Sequence, residues 1–292
     1  MSMKTSLLNS FRLILMNPFL EKILVLLTMN KDFGTFITKI PPNHYQYKKD
    51  TLRKVTRHNI NFILDISDII DWYIYYGFTE NSKKRLLENI KEGDVVIDVG
   101  ANVGEISMRM ANIVKNKNGQ IYSFEPDTIN HQRFLNNIKI NNFDIIHLIK
   151  KGLGNKKGTY NFSVIDEHNR GMNRITKSDE NSNNTLIDVI KLDDYLNDNS
   201  ILSVNAIKID VEGFEMNVIK GATNIIQKEM PFLFIELDDN NLCDQNSSAK
   251  ELVKTLSDVG YEIVNATNNN KINSNHDFTN CHYDIICTNS GN

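Results

Sequence analysis

From residue 91 onward, short apolar runs alternate with stretches of helical spacing. Residues 94–100, 120–125, 145–150, 205–210 and 231–236 read as strands. Residues 103–114, 128–141, about 215–227 and 248–259 read as helices, the last stopped by Gly260. Residues 261–265 and 282–288 close the chain as two further strands. Strands this apolar must be covered on both faces, and intervening helices supply that cover when the strands run parallel. The predicted fold class is therefore α/β, a Rossmann-like sheet with helices on both faces. The segment 158–199 interrupts the rhythm with a hairpin-like piece and a polar loop at residues 166–184, which suits a lid or an insert.

The turn after the first strand reads Asp98-Val-Gly-Ala-Asn-Val-Gly104 and opens a helix. Gly100 and Gly104 permit a tight turn and close backbone approach, and the free N–H groups of the helix start suit an anion. That anion is either a diphosphate or the carboxylate of an amino acid. A dinucleotide fingerprint requires G-x-G-x-x-G, and Asn102 and Glu105 stand where its second and third glycines belong. Glu105 would set a negative charge beside a pyrophosphate, whereas Asp98 could meet a cationic amino group. Both details favour S-adenosylmethionine. Glu125 ends the second strand, where an acid can accept hydrogen bonds from two ribose hydroxyls, and Pro126 stops that strand.

A third element, Asp210-Val-Glu-Gly-Phe-Glu215, follows the fourth strand, and Glu236 ends the fifth. Ligands of open α/β sheets bind at the carboxyl ends of strands, so Asp210, Glu212 and Glu236, with Glu215, are candidates to face a reacting centre. The plainer alternative is that some of these acids cap the next helix or pair with Lys208. So many adjacent carboxylates are costly unless they meet a cation, a proton or a substrate hydroxyl.

These blocks, DVGANVG, FEP, IKIDVEGFE with VIKGA, and PFLFIE, resemble the FkbM-type methyltransferases over about residues 50–240, supported by LDISD…YYG and NIKIN. The resemblance implies a class I methyltransferase fold and O-methylation, often of a sugar hydroxyl in a glycan or secondary metabolite. It implies that Gly100, Asn102, Gly104 and Glu125 hold S-adenosylmethionine, with Asp98, Ala101 and Pro126 beside them. Asp210, Glu212 and Glu236 match the family's strand-end acids. Many relatives carry an acid after the third strand, near the adenine. This chain reads Gly152-Leu-Gly-Asn155 there, which leaves Gly152 and Leu153 as backbone contacts. The expected division is residues 1–85 as a mostly helical or irregular extension and 86–292 as the methyltransferase domain. In-line displacement at a sulfonium needs a positioned acceptor and a base. Asp210 or Glu236 is the candidate base, and Glu212 orients it or the acceptor. The acids would also suit Mg2+, but no fixed ligand spacing supports a metal. A nicotinamide-dependent oxidoreductase and a cofactor-binding module without turnover are the rival readings. The absence of an N/D-P-P-Y motif after the fourth strand argues against N-methylation of nucleic acid.

The remainder of the chain is less specific. A formal net charge of -3 gives no electrostatic reason to expect nucleic acid. Cys243, Cys281 and Cys287 form no C-x-x-C pair, which fits a reducing cytoplasm. Residues 5–28 read as two short amphipathic helices broken at Pro18, too interrupted to span a bilayer, that could dock on their own domain, on a second subunit or on a membrane surface. Residues 29–60 are polar and read as irregular. Asp65, Asp68, Tyr75 and Tyr76 are candidates to reach the site from the extension. His131 and His168 fall near it in sequence, each with a surface or loop position as the plainer reading.

Overall fold

The computed structural model describes residue 9 and residues 12–176 and 184–289. The polar loop expected at 166–184 and the amphipathic helices expected at 5–28 therefore lie partly outside the described residues.

The strands in chain order are β1 (Leu52–Arg57), β2 (Ile60–Asp65), β3 (Val95–Val99), β4 (Gln120–Phe124), β5 (Ile146–Ile149), β6 (Gly152–Leu153) and β7 (Gly158–Ser163). They continue with β8 (Arg174–Thr176), β9 (Asn184–Ile190), β10 (Ala206–Ile209), β11 (Phe232–Asp238), β12 (Tyr261–Asn265), β13 (Lys271–Ile272) and β14 (His282–Asn289). The main sheet has the order β13-β12-β14-β11-β10-β3-β4-β5. β3, β4, β5, β10 and β11 run parallel, and β14 inserts antiparallel between β11 and β12. The chain winds outward from β3 to β5, then returns to place β10 on the other side of β3. That reversal opens a crevice at the carboxyl ends of β3 and β10, where Gly100 and Asp210 follow. This is the Rossmann-like α/β sheet that the sequence predicts.

Each sheet face carries its own core. One face packs Ile97, Ile207, Leu233 and Ile285 against the helices Glu215–Gly221, Thr223–Glu229 and Ala249–Val259. The expected single helix at 215–227 is two, because Gly221 packs on the chain at Gly154. A Cβ on Gly221 would stand 2.1 Å from the Gly154 carbonyl oxygen, and the backbone leaves helical geometry at Ala222. The other face shares its core with the extension, from Leu24 to Tyr76. Val96, Met108 and Phe134 cluster there with Ile60, Phe62, Leu64, Trp72 and Tyr76.

Within the extension, the stretch that reads as irregular contains a hairpin. β1 and β2 pair antiparallel across His58 and Asn59, both at positive φ, the backbone that a two-residue hairpin turn requires. β1 alternates between half-buried and exposed residues and lacks an apolar stripe, so its sequence gives little strand signal. Asn137 and Asn141, from the helix Thr128–Asn141, accept hydrogen bonds from the β2 backbone at Ile63 and Asn61. The helix Pro18–Thr28 starts on an Asn17 cap with proline in its first turn. It docks inward through buried Glu21, which meets Arg53 at 2.7 Å and the Tyr75 hydroxyl at 2.6 Å.

The interrupting segment forms a second sheet of order β6-β9-β7-β8. Phe162, Ile175, Ile187 and Val189 from it pack with Phe214, which seats this sheet over the end of β10.

Candidate active site

A cavity of about 1140 Å3 opens at the crevice. The turn after β3 forms its floor. Gly100 has φ 77° and lies so close to β10 that a Cβ would stand 1.9 Å from the Asp210 carbonyl oxygen. Gly100 and Ala101 donate their N–H groups to Phe124 O, both at 3.1 Å. The Asn102 N–H donates to Glu125 Oε2 at 2.8 Å, and the Asp127 N–H donates to Glu125 Oε1 at 2.8 Å. Glu125 thus ties the glycine turn to the end of β4. Burial, with the nearby Asp127 charge, pushes its carboxyl up to about 8 against the pull of the two N–H donors and Lys208.

Lys208 lies buried beneath the turn. Its Nζ donates to the Gly100 carbonyl at 2.9 Å and lies 3.3 Å from both Asp98 Oδ1 and Asp210 Oδ2. Burial opposes its charge, but Asp210 and Asp98 outweigh that and hold the ammonium above its ordinary range. Asp98 is fully buried, bonded also to Ser107, and does not line the cavity. The expected contact of Asp98 with an amino group is corrected, because Lys208 occupies that carboxylate. Gly104 stays off the cavity too. Its missing side chain makes room for Phe134, whose ring a Cβ would meet at 2.0 Å.

The other expected positions converge. Gly100, Ala101, Asn102, Glu125, Pro126, Gly152 and Leu153 line the cavity together with Asp210, Glu212 and Glu236. Glu212 sits at φ 52°, an uncommon backbone for a side chain of this size, and accepts from Asn241 Nδ2 at 2.8 Å. Burial, then Asp210, Glu215 and Asp238, push its carboxyl up to about 8. Glu236 lies directly opposite Asp284 in the β11–β14 pair. Its Oε2 is buried without a hydrogen-bond partner. Burial, then Asp210, Glu212, Glu215 and Asp284, hold this carboxyl well above the usual range. Asp284 is pushed up to about 6, chiefly by burial. Glu215 does not line the cavity. It accepts the Val211 and Gly213 N–H groups at 3.1 and 3.0 Å, the local capping role that the sequence left open.

The extension reaches the cavity, but through other residues than expected. Ile70, Tyr73, Ile74 and Gly77 line it, at the i, i+3, i+4 and i+7 spacing of one helix face. Tyr75 and Tyr76 occupy the opposite face, bonded to Glu21 and Tyr47. Asp65 pairs with Arg133 at 3.0 Å, and Asp68 caps the helix Ile69–Tyr76. None of these four lines the cavity, nor do His131 and His168; the His168 ring bonds to Ser67 O. Sequence reasoning passes over Lys208 as more than a pairing alternative, and over Arg170, Asn173 and Asp284. Arg170 and Asn173 reach the cavity from the polar loop and both bond to Asp127, which caps the helix Thr128–Asn141. The only sequence signal for that group is the cap position of Asp127 after Pro126. Among the described residues, no group of three or more His, Cys, Asp or Glu side chains is placed to hold a metal ion.

The family model for the methyltransferase FkbM domain matches residues 98–263, from the buried Asp98 to Ile263 within β12. The chain belongs to the FkbM methyltransferase family. This FkbM domain is 28% identical over 193 residues to hexuronic acid methyltransferase AglP of Haloferax volcanii, covering 66% of this chain and 72% of that one. It is 25% identical to methyltransferase 1 of Beauveria bassiana, covering 58% and 72%. It also resembles a solved FkbM methyltransferase from Methylobacillus flagellatus, with a TM-score of 0.43 and 21% identity over 67% of this chain. The FkbM chain described here spans 43% of that protein's length. Membership in a methyltransferase family leaves the nicotinamide reading without support.

Proposed function

We propose that this FkbM methyltransferase transfers the methyl group of S-adenosylmethionine to a hydroxyl oxygen of a sugar. The observation that carries the proposal is one cavity holding both a glycine turn clamped by Glu125 and the acids Asp210 and Glu212 after β10 and Glu236 within β11, which runs on to Asp238. Family membership and the relative named as a hexuronic acid methyltransferase support a sugar-type acceptor. The residues fit the cofactor. Gly100 brings backbone to the cavity, and Glu125 keeps lone pairs for two ribose hydroxyls. Ala101, Asn102, Pro126, Gly152 and Leu153 complete that wall.

When bound, S-adenosylmethionine supplies an electrophilic methyl carbon on a sulfonium. The chain's own residues then position the acceptor and take its proton. Glu236 is the better base of the two candidates, because its buried Oε2 lacks a partner, whereas Asp210 is paired with Lys208. Glu236 would take the acceptor O–H proton, and Glu212 would orient the acceptor, as the methyl carbon leaves sulfur for that oxygen. Lys208 keeps Asp210 and the Gly100 turn in register. Residues 86–292 form the catalytic unit in this reading, and residues 1–85 add a wall to the acceptor pocket.

The test is calorimetric titration with S-adenosylhomocysteine and NAD, followed by transfer of labelled methyl to a sugar panel. Binding of S-adenosylhomocysteine that weakens in Glu125→Ala, together with transfer that falls about 100-fold or more in Glu236→Gln, supports the reading. Binding of NAD instead, or methyl transfer indifferent to Glu236, overturns it.

The proposal extends to where the protein works. The helix Pro18–Thr28 turns Phe19, Ile23, Leu26 and Leu27 to solvent, a face suited to peripheral contact with a membrane surface. Among the described residues, no helix is long and apolar enough to cross a membrane.

A further inference from the structure

We propose that the acceptor end of the cavity selects an uncharged sugar ring, rich in hydroxyl donors and lacking a carboxylate. The inference rests on the methyltransferase reading and names the acceptor class of that same site.

The argument is one of unmatched acceptors and occupied cations. Glu212, Glu236 and Asp284 line the cavity around the ends of β10, β11 and β14. Among the described residues, none of the three has a Lys, Arg or His nitrogen within ion-pair distance. Glu236 Oε2 is buried with no hydrogen-bond donor at all. Most cationic side chains of the same cavity have partners of their own. Lys208 serves Asp98 and Asp210, and Arg109 pairs with Glu105 at 2.8 Å. Lys83 pairs with Glu80 at 3.0 Å, and Arg170 with Asp127. Arg174 meets Asn241 at 2.9 Å and Asp244 at 3.5 Å, and Arg57 donates to the carbonyls of Ile74 and Tyr75.

A hexuronate entering beside Glu212, Glu236 and Asp284 would bring a carboxylate into a field of carboxylates, with no Lys, Arg or His nitrogen within ion-pair distance of these three among the described residues. Like charges sharing a desolvated site are strongly disfavoured. A neutral ring instead brings several O–H donors, which is what Glu236 Oε2 lacks, and buried acceptors left unmatched are costly. Sites built to hydrogen-bond hydroxyls discriminate in this way, through unpaired or repelling groups against the wrong ligand. The relative named for hexuronic acid would then share the chemistry with this chain but not the acceptor.

The experiment is an NMR titration of the protein saturated with S-adenosylhomocysteine. The probes are methyl glycosides of glucose, galactose and mannose, and of the three corresponding uronic acids. We expect at least one neutral glycoside to bind about tenfold or more tightly than its uronic counterpart. The gap should narrow in both Glu236→Gln and Asp284→Asn, two variants that relieve repulsion and so preserve folding. Equal or tighter binding of the uronic acid overturns the inference, as does failure of every neutral glycoside while S-adenosylhomocysteine still binds. Loss of S-adenosylhomocysteine binding itself would overturn the methyltransferase proposal as well.

Discussion

Single carboxylates set the chemistry of this cavity, and their burial makes them pH-sensitive. Glu125 and Glu212 are each pushed up to about 8, Asp71 likewise, and Glu215 to about 7, burial leading in every case. Unfolded, such groups titrate near ~4. A folded state that holds protons more tightly than the unfolded one is stabilised at low pH. That contribution is complete below about pH 4 and is lost as pH rises through about 8. The melting temperature of the cofactor-free protein should therefore be lower at pH 8.5 than at pH 6, and Glu212→Gln should flatten the slope. A melting temperature that rises over this window would sink the account. At Glu125 the prediction is sharper. Glu125→Ala removes the acceptor of the Asn102 and Asp127 N–H groups, so S-adenosylhomocysteine affinity should fall by about 10- to 100-fold in calorimetry, as buried donors lose their partner.

At the scale of elements, the close approach of strand to strand decides where the site can form. Gly100→Ala adds a methyl at φ 77° against the Asp210 carbonyl, 1.9 Å away. The turn after β3 must then move away from β10, which should abolish S-adenosylhomocysteine binding and lower the melting temperature. Gly34→Ala, also at positive φ but with nothing within 4 Å, should cost only about 1–2 kcal/mol of strain and leave binding intact. Unchanged binding in Gly100→Ala would mean that the turn does not hold the cofactor. The helix Pro18–Thr28 supplies a second test, since its inward anchor is charged. Glu21→Ala leaves Arg53, Tyr75 and Tyr47 without their shared acceptor. Removing one partner of such a buried pair costs about 3 kcal/mol, readable by urea denaturation, and Glu21→Gln should recover part of it.

For the whole molecule, the extension from Leu24 to Tyr76 shares one core with the sheet. Ile60, Phe62, Leu64, Trp72 and Tyr76 share it with Val96, Met108 and Phe134. A chain beginning at residue 86 would expose that sheet face, and we expect it to aggregate where the full chain stays in solution. A stable, monomeric fragment would instead make the boundary at 85 and 86 a true domain boundary. The outward face of Phe19, Ile23, Leu26 and Leu27 should carry the full chain onto anionic vesicles in a sedimentation assay. Phe19→Ser combined with Leu26→Ser should leave it in the supernatant, and failure of the unaltered chain to sediment would remove the membrane proposal.

The sequence by itself determined the alternating sheet and helices, the glycine turn and the strand-end acids, because each of these is written locally. Apolar runs mark β3, β4, β10 and β11, and Gly100, Glu125, Asp210 and Glu236 stand where those runs stop. What only the tertiary structure decided is which side chains share the cavity. Asp98 and Lys208 alternate with apolar neighbours on adjacent strands, yet their pairing in the β3–β10 register takes Asp98 away from any ligand. Glu236 and Asp284 lie far apart in sequence and become neighbours only through the antiparallel insertion of β14. The helix Ile69–Tyr76 is apolar almost throughout, and its rotation turns Tyr73 and Ile74 inward to the cavity and Tyr75 and Tyr76 to the core. Period and turn chemistry act within a few residues of chain, whereas strand register, helix phase and charge pairing are settled by contacts across the fold.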